Sequence, residues 1–490
     1  MLFSSLIFIL SFLPITLAAV FFAARVGGAR MAVLVLLVAS LIFYSWQTPS
    51  YLLLIASSIG VNFLFGQCIS ATRSSALAAL GIAFNLALLG WFKYIGLFSS
   101  TLSDLVHVDV TIDGVILPLA ISFFTFQQIA FLADCLKGDG HRYDFLDYAL
   151  FVAFFPQLIA GPIVHHKELA PQFSGTRFAR FLPEDIVAGI FLFSIGLAKK
   201  VLIADGLAPI ADGVFEAAAA GHAIAPAEAW IGTVAYSFQI YFDFSGYCDM
   251  ALGLALLFGV RLPMNFNSPY KARSIVDFWR RWHITLSTFL RDYLYIPLGG
   301  NRKGGLFRYR NLFIVMLLGG LWHGAAWTFV VWGGLHGLYL CVNHAWDKTM
   351  NGKLQLNPVA TVAMTFLAVT VAWVFFRAES FEAGFLVLAG MLGQNVAAPT
   401  VFSPAMLFSF PLLVVAALVV WCAPNALELL EKFKKVAATD TSGEQTLPVK
   451  GVAAFSDTSI LVMTMLGALT AAVIFILMTT GPYEFIYFQF

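Results

Sequence analysis

The chain has 490 residues, of which 60% are hydrophobic and only 11% charged. Soluble domains carry about 25% charged residues. With a mean hydropathy of +0.85, this composition excludes a soluble protein with a large core and calls for an integral membrane protein with many spans. The formal net charge of +1 creates no field for polyanions, and no nucleic-acid-binding motif occurs. Cys68, Cys135, Cys248, Cys341 and Cys422 are scattered, and no H-E-x-x-H is present; neither a disulfide framework nor a zinc site is expected.

Residues 2–24 form the first apolar run. It lacks the basic leader of a secretory signal, and Arg25 and Arg30 follow it. It reads as a retained helix with a cytoplasmic C-terminal end, so the N-terminus lies outside. Runs 31–45 and 51–66 are joined by an outer turn at Trp46, Arg73 marks the cytoplasmic return, and 74–92 runs back out. Loop 100–114 holds three aspartates and no Lys or Arg, as an outer loop should. Run 115–133 then goes inward to Lys137 and Arg142. Run 146–163 is broken by Pro156 and Pro162 and lies between basic loops. That pattern predicts a segment that dips in and returns beside an internal cavity.

Run 186–204 goes out, with Lys199 and Lys200 near its end as an exception to the charge rule, and a loop with Asp212 and Glu216 leads to Glu228. Run 230–260 returns with Asp243, Ser245 and Asp249 in YFDFSGYCDM. Carboxylates at this depth either work chemically or fix helix packing; packing is the preferred reading. Runs 359–376, 383–392 and 402–421 follow, then a polar cytoplasmic loop at 428–456 with Lys432, Lys434 and Lys435, and a last outward run at 459–480. The expectation is one integral membrane domain over 1–490, with about eleven to thirteen apolar segments.

Residues 266–337 stand apart as the core stretch. Ile275, Trp279, Trp282, Leu286, Phe289, Leu290 and Tyr293 recur at helical spacing, which predicts an amphipathic helix over 272–294 lying in the cytoplasmic interface. His283 borders its apolar stripe, either facing a substrate channel or anchoring the helix. The following turn, LGGNRKGG, fails the phosphate-loop pattern because no G-K-[ST] follows. Its Arg302 and Lys303, with Arg308 and Arg310, either carry the positive-inside signal or hold the phosphates of a donor. Run 311–322 enters the membrane and meets His323 between glycines. Gly319 and Trp327 stand at i−4 and i+4, one leaving space beside the imidazole and the other offering a wall. A histidine at depth is either a general base or a bonded packing residue. His336 and His344 read as structural. Intramembrane carboxylates and broken helices also suit a polysaccharide or lipid transporter or flippase, but no repeat supports it.

The motifs taken together resemble one family. LPLAISFFTFQQIAFLAD from Leu117, FFPQLIAGPIV from Phe154, YFDFSGYCDMALG from Tyr241, the 266–337 stretch, WVFFRAESF from Trp373 and the closing FIYFQF are similar to the membrane-bound O-acyltransferases, in the bacterial branch typified by the membrane subunit of alginate O-acetylation. The resemblance implies an all-α polytopic fold, a ring of transmembrane helices around a thin funnel-shaped centre with re-entrant or broken helices. It implies that His323 matches the family's L-W-H-G histidine and His283 its W-H histidine, both catalytic, and that Tyr487 can act as a transient acyl carrier. It further implies an acyl thioester such as acetyl-CoA as donor substrate, with no permanently bound cofactor. The acceptor is then an extracytoplasmic polysaccharide, a separate periplasmic protein finishes the transfer, and the location is the bacterial inner membrane.

Overall fold

The computed structural model describes residues 1–112, 115–138, 143–302, 304–350, 356–396, 398, 402, 409–440, 457–481, 483, 485 and 486. Among them every regular element is helical. Seven helices are long and apolar enough to cross a membrane, or eight if one bent pair counts as a span. The chain is thus an all-α, multi-pass membrane protein.

Helix α1 (Phe8–Ser45) breaks at Gly28, whose φ of 70° glycine alone adopts without cost. The break turns the chain back on itself, so that Phe8 lies 5.7 Å from Phe43 and the runs read at 2–24 and 31–45 form a hairpin. Helices α2 (Tyr51–Thr72) and α3 (Ser75–Val106) follow. A π-helical turn at Gly90–Tyr94 interrupts α3. After α4 (Ile121–Lys137) comes the dipping segment. Its first part is α5 (Phe145–Ala153); the chain then breaks at Phe154, makes one turn at Phe155–Leu158, and leaves without helix. Residues 148–164 are buried throughout, so irregular backbone at depth is surrounded by protein.

Helix α6 (Pro183–Ala219) extends past the predicted end at 204 and absorbs much of the expected acidic loop. It packs on α7 (Pro226–Leu257), the central helix, which is buried along 89% of its apolar window. The two backbones touch: a Cβ on Gly196 would lie 2.4 Å from the Gly246 carbonyl oxygen. The two aspartates on α7 meet the two lysines of α6. Lys199 pairs with Asp249 at 2.5 Å and Lys200 with Asp243 at 2.8 Å, which accounts for lysines at the wrong end of an outward run and supports the packing reading.

The expected interfacial helix over 272–294 does not form. It is split into α8 (Ile275–Trp279) and α9 (Ile284–Leu290), and its middle, Trp282 and His283, is completely buried. The reason is local. Asn267 N–H donates to the Arg281 carbonyl and Ile284 N–H to the Asn265 carbonyl, and these bonds pin the chain in a sharp turn. Helices α10 (Gly305–His323) and α11 (Trp327–Met350) then cross at two glycines. A Cβ on Gly333 would come within 2.2 Å of the Met316 carbonyl oxygen, and one on Gly320 within 2.2 Å of that of Phe329. Small residues at such crossings let membrane helices approach closely.

The remainder comprises α12 (Pro358–Arg377), α13 (Phe381–Met391), α14 (Phe410–Cys422), α15 (Ala426–Asp440) and α16 (Asp457–Thr480). The polar loop read from 428 is helical to 440; its rest, 441–456, lies outside the described residues, as does 403–408 of the run read from 402. Fewer helices pass as spans than there are apolar segments: runs 2–24 and 31–45 share the helix that breaks at Gly28, α13 is short, and α14 with α15 forms a pair bent by 61°.

Candidate active site

The geometry begins at the end of α10. Gly324 is extended (φ −155°, ψ 151°) and stops the helix at His323. The carbonyls of the last turn therefore need donors from elsewhere. The π-helical turn in α3 supplies them. Lys93 Nζ donates to the carbonyls of Trp322 at 2.6 Å and His323 at 3.2 Å and lies 3.4 Å from Ser122 Oγ. The neighbouring Tyr94 hydroxyl donates to the Leu321 carbonyl at 2.9 Å. Lys93 is buried, and π-helical turns are frequent at functional sites.

Around the His323 ring stand Trp322 at 4.9 Å, Trp332 at 5.1 Å and Phe376 at 5.4 Å between ring centres. Trp327 is not among them. The break at Gly324 takes it off the face of His323; it is half exposed and donates to Thr101 Oγ1 at 3.1 Å. The wall predicted from i+4 spacing is built instead from α11 and α12.

His283 packs beside His323, with 6.4 Å between the ring centres. Its backbone is left-handed, with φ 44°, uncommon for a non-glycine residue and typical of functional sites when held by its surroundings. Asn265 holds it. Asn265 Oδ1 accepts from Thr285 N at 3.2 Å and Thr285 Oγ1 at 3.0 Å, so that atom is the oxygen. His283 Nδ1, 3.1 Å from it, is then the donor. The neutral ring therefore carries its proton on Nδ1 and a lone pair on Nε2, which has no hydrogen-bond partner among the described residues. His336 is a packing residue: its Nδ1 accepts from Trp279 Nε1 at 3.3 Å, and its ring is fully buried among Trp279, Trp332 and Phe278. His344 Nδ1 accepts from Arg308 Nη2 at 2.6 Å.

A cavity of about 240 Å³ leads to His323; His283, fully buried beside it, is not among the residues that line it. Exposed Gln47 and the neighbouring Thr48 stand at its mouth, the 117–123 segment forms a side, and Lys93, Trp322 and His323 line its floor. Arg302 lies elsewhere, exposed in the turn before α10. The nineteen residues of α10 separate that turn from His323, about 28 Å at 1.5 Å per residue. Lys303 and Tyr487 lie outside the described residues.

A polytopic helical protein with a buried histidine at the floor of a cavity, and a second buried histidine beside it, is the arrangement to set against known membrane enzymes. The family model of the membrane-bound O-acyltransferases matches residues 10–378, and the chain belongs to that family. It is 45% identical to a peptidoglycan O-acetyltransferase of Helicobacter pylori over 81% of this chain and 80% of the relative. It is 42% identical to a probable alginate O-acetylase of Pseudomonas aeruginosa over 78% and 73%. A teichoic acid D-alanyltransferase of Streptococcus thermophilus is 27% identical over 62% and 77%. The chain is therefore a membrane O-acyltransferase, which answers the transport alternative.

Lys93, Tyr94 and Asn265 were not singled out by sequence. A lone lysine in the apolar run over α3 was a usable signal; Asn265, one polar residue in a loop, offered none.

Proposed function

We propose that this protein moves an acyl group, an acetyl in the first instance, from a cytoplasmic thioester such as acetyl-CoA across the membrane for O-acetylation of an extracytoplasmic polysaccharide. The peptidoglycan and alginate named for its relatives make such glycans the acceptors to test first, alginate among them. The observation that carries the reading is the cavity ending at His323 with His283 beside it.

In this mechanism His323 takes the proton from the acceptor hydroxyl as its oxygen attacks the thioester carbonyl carbon. The tetrahedral intermediate collapses, the C–S bond breaks, and the imidazolium returns the proton to the departing thiolate. A general base of this kind contributes roughly 10²- to 10⁴-fold. His283, with a lone pair on Nε2, orients the hydroxyl or relays its proton. Lys93 and Tyr94 fix the end of α10 and so the position of the imidazole.

The cavity mouth lies at the turn read as outer, which gives the acceptor its route. Arg302 and Lys303 would meet the donor's phosphates at the opposite end of α10; in the relayed form of the reaction the Tyr487 phenol is the hydroxyl that attacks the thioester, and its acyl ester then passes the group to a periplasmic acetyltransferase that places it on the glycan. The inner membrane, with the N-terminus outside, is the location this requires.

The test is His323→Ala in a host lacking its own copy. The variant should insert at normal levels and lose acetylation of the exported polymer, read as released acetate. Near-normal acetylation would sink the assignment.

A further inference from the structure

The last described residues reach into the body of the protein. Helix α16 ends at Thr480, and beyond it Phe485 and Ile486 are buried, at 2% and 6% exposure. The ring centre of Phe485 lies 4.7 Å from that of Tyr247 and 6.0 Å from that of Phe244, two residues that share one face of α7. Phe244 in turn stands 4.8 Å from His283. One aromatic ring thus links the closing segment to the histidine pair.

The backbone of this segment is held by a charge. Ile486 N–H donates to Asp243 Oδ2 at 2.9 Å. Asp243 is fully buried near the middle of α7, a depth at which a backbone N–H must find its acceptor within the protein. A carboxylate accepts such a bond more strongly than a neutral group does. The other oxygen, Asp243 Oδ1, faces Lys200 Nζ at 2.8 Å, and Lys200 meets Asp205 at 2.6 Å. Asp205 alone already balances the Lys200 charge. The second carboxylate is therefore surplus to that pairing, and what it adds is an acceptor for the closing segment. Side-chain packing does not enclose the segment on every side, because a cavity of about 190 Å³ borders both Asp243 and Ile486. A bond to the main chain fixes the register of the segment whatever side chain stands at 486. The next residue of the chain is Tyr487.

We propose that Asp243, held by Lys200, is a positioning residue for the closing segment: by fixing the backbone at Ile486 it sets where Tyr487 meets the histidine pair. The proposal rests on the reading of Tyr487 as acyl carrier. It is tested in the host lacking its own copy, at matched levels of inserted protein, with three variants. Asp243→Ala deletes the acceptor, Ile486→Pro deletes the donor, and Ile486→Ala shortens the side chain but keeps the N–H. The first two should each lower acetylation of the exported polymer at least about tenfold, the effect of losing a charge-assisted hydrogen bond in a buried place. The double variant should be no worse than the worse single one, since both remove the same bond. Ile486→Ala should lose less than Ile486→Pro, and Asp243→Asn, which offers one oxygen to two donors, should recover part of the loss. Carboxypeptidase digestion of the full chain in detergent reads the docking itself. Trimming of the parent should not pass Ile486, and that of Asp243→Ala should. Three results would overturn the proposal: Ile486→Pro acetylating like the parent; single losses that multiply in the double variant; or trimming that halts at the same residue in the parent and in Asp243→Ala. Near-normal acetylation in Tyr487→Phe would sink the carrier reading and leave the docking, read by the digest, standing. Lost acetylation in Tyr487→Phe beside normal acetylation in Ile486→Pro would sink the docking alone.

Discussion

At the residue scale the imidazole of His283 is set by one neighbour. Asn265 Oδ1 collects three donors, so Asn265→Leu removes the acceptor that fixes the tautomer and strands a buried backbone N–H. We expect acetylation to fall about a hundredfold, within the range that a positioned acid–base group supplies, with a loss of about 1–3 kcal/mol in stability. Turnover and thermal melting of the purified variant read the two effects, and unchanged turnover would show that the tautomer is irrelevant. Lys93→Met acts through α10. Its carbonyl partners lose their donor in a buried place, and both polymer acetylation and melting temperature should drop, whereas Lys93→Arg should recover part of each. Sequence pattern singled out His323 as an ionisable residue in apolar, glycine-rich sequence and His283 as the border of an apolar stripe, and left the role of each open; only the family resemblance made them catalytic. It missed Asn265 and Lys93 because their roles depend on partners 18 and about 230 positions away, a separation that periodicity does not reach.

Glycine decides much at the element scale. Gly333 lets α10 and α11 touch, and a methyl there would stand 2.2 Å from a backbone oxygen that cannot swing aside. Gly333→Ala should therefore force the helices apart at a cost of about 1–3 kcal/mol. The check is the detergent melting temperature beside that of Gly334→Ala, where the added carbon meets only side-chain atoms, of Leu317 at 3.4 Å and Phe313 at 3.9 Å. Equal melting of the two variants would contradict the crossing. The apolar runs and their breaks were legible from hydropathy and proline, including the dip after α5. The splitting of 272–294 was not. Its stripe has helical period, yet the bonds from Asn265 and Asn267 override that period, and neither asparagine belongs to the pattern. The same limit misplaced Trp327, since i+4 spacing holds only while the helix continues.

For the whole molecule, the ion pairs between α6 and α7 hold its centre. Lys199→Met leaves Asp249 without its partner inside the protein and should cost up to about 3–5 kcal/mol, while Lys199→Met with Asp249→Leu should regain most of it. Measuring both against the parent gives the coupling, and an equally unstable double variant would show that charge pairing is not what those residues provide. The charge exception at 199–200 was visible in the sequence; its explanation needed the third dimension.

Tyr247, in the second half of α7, receives aromatic rings from distant parts of the chain: Phe3 stacks on it at 4.7 Å and Phe485 lies at 4.7 Å. Translation delivers these three in widely separated moments. Phe3 can settle soon after α7 emerges, but Phe485 arrives only when nearly two hundred and forty more residues have left the ribosome. A nascent chain stalled before that point would already hold both histidines while the side of α7 at Tyr247 stayed open. The packing around Tyr247 is therefore completed late, by a contact from the far end of the described chain.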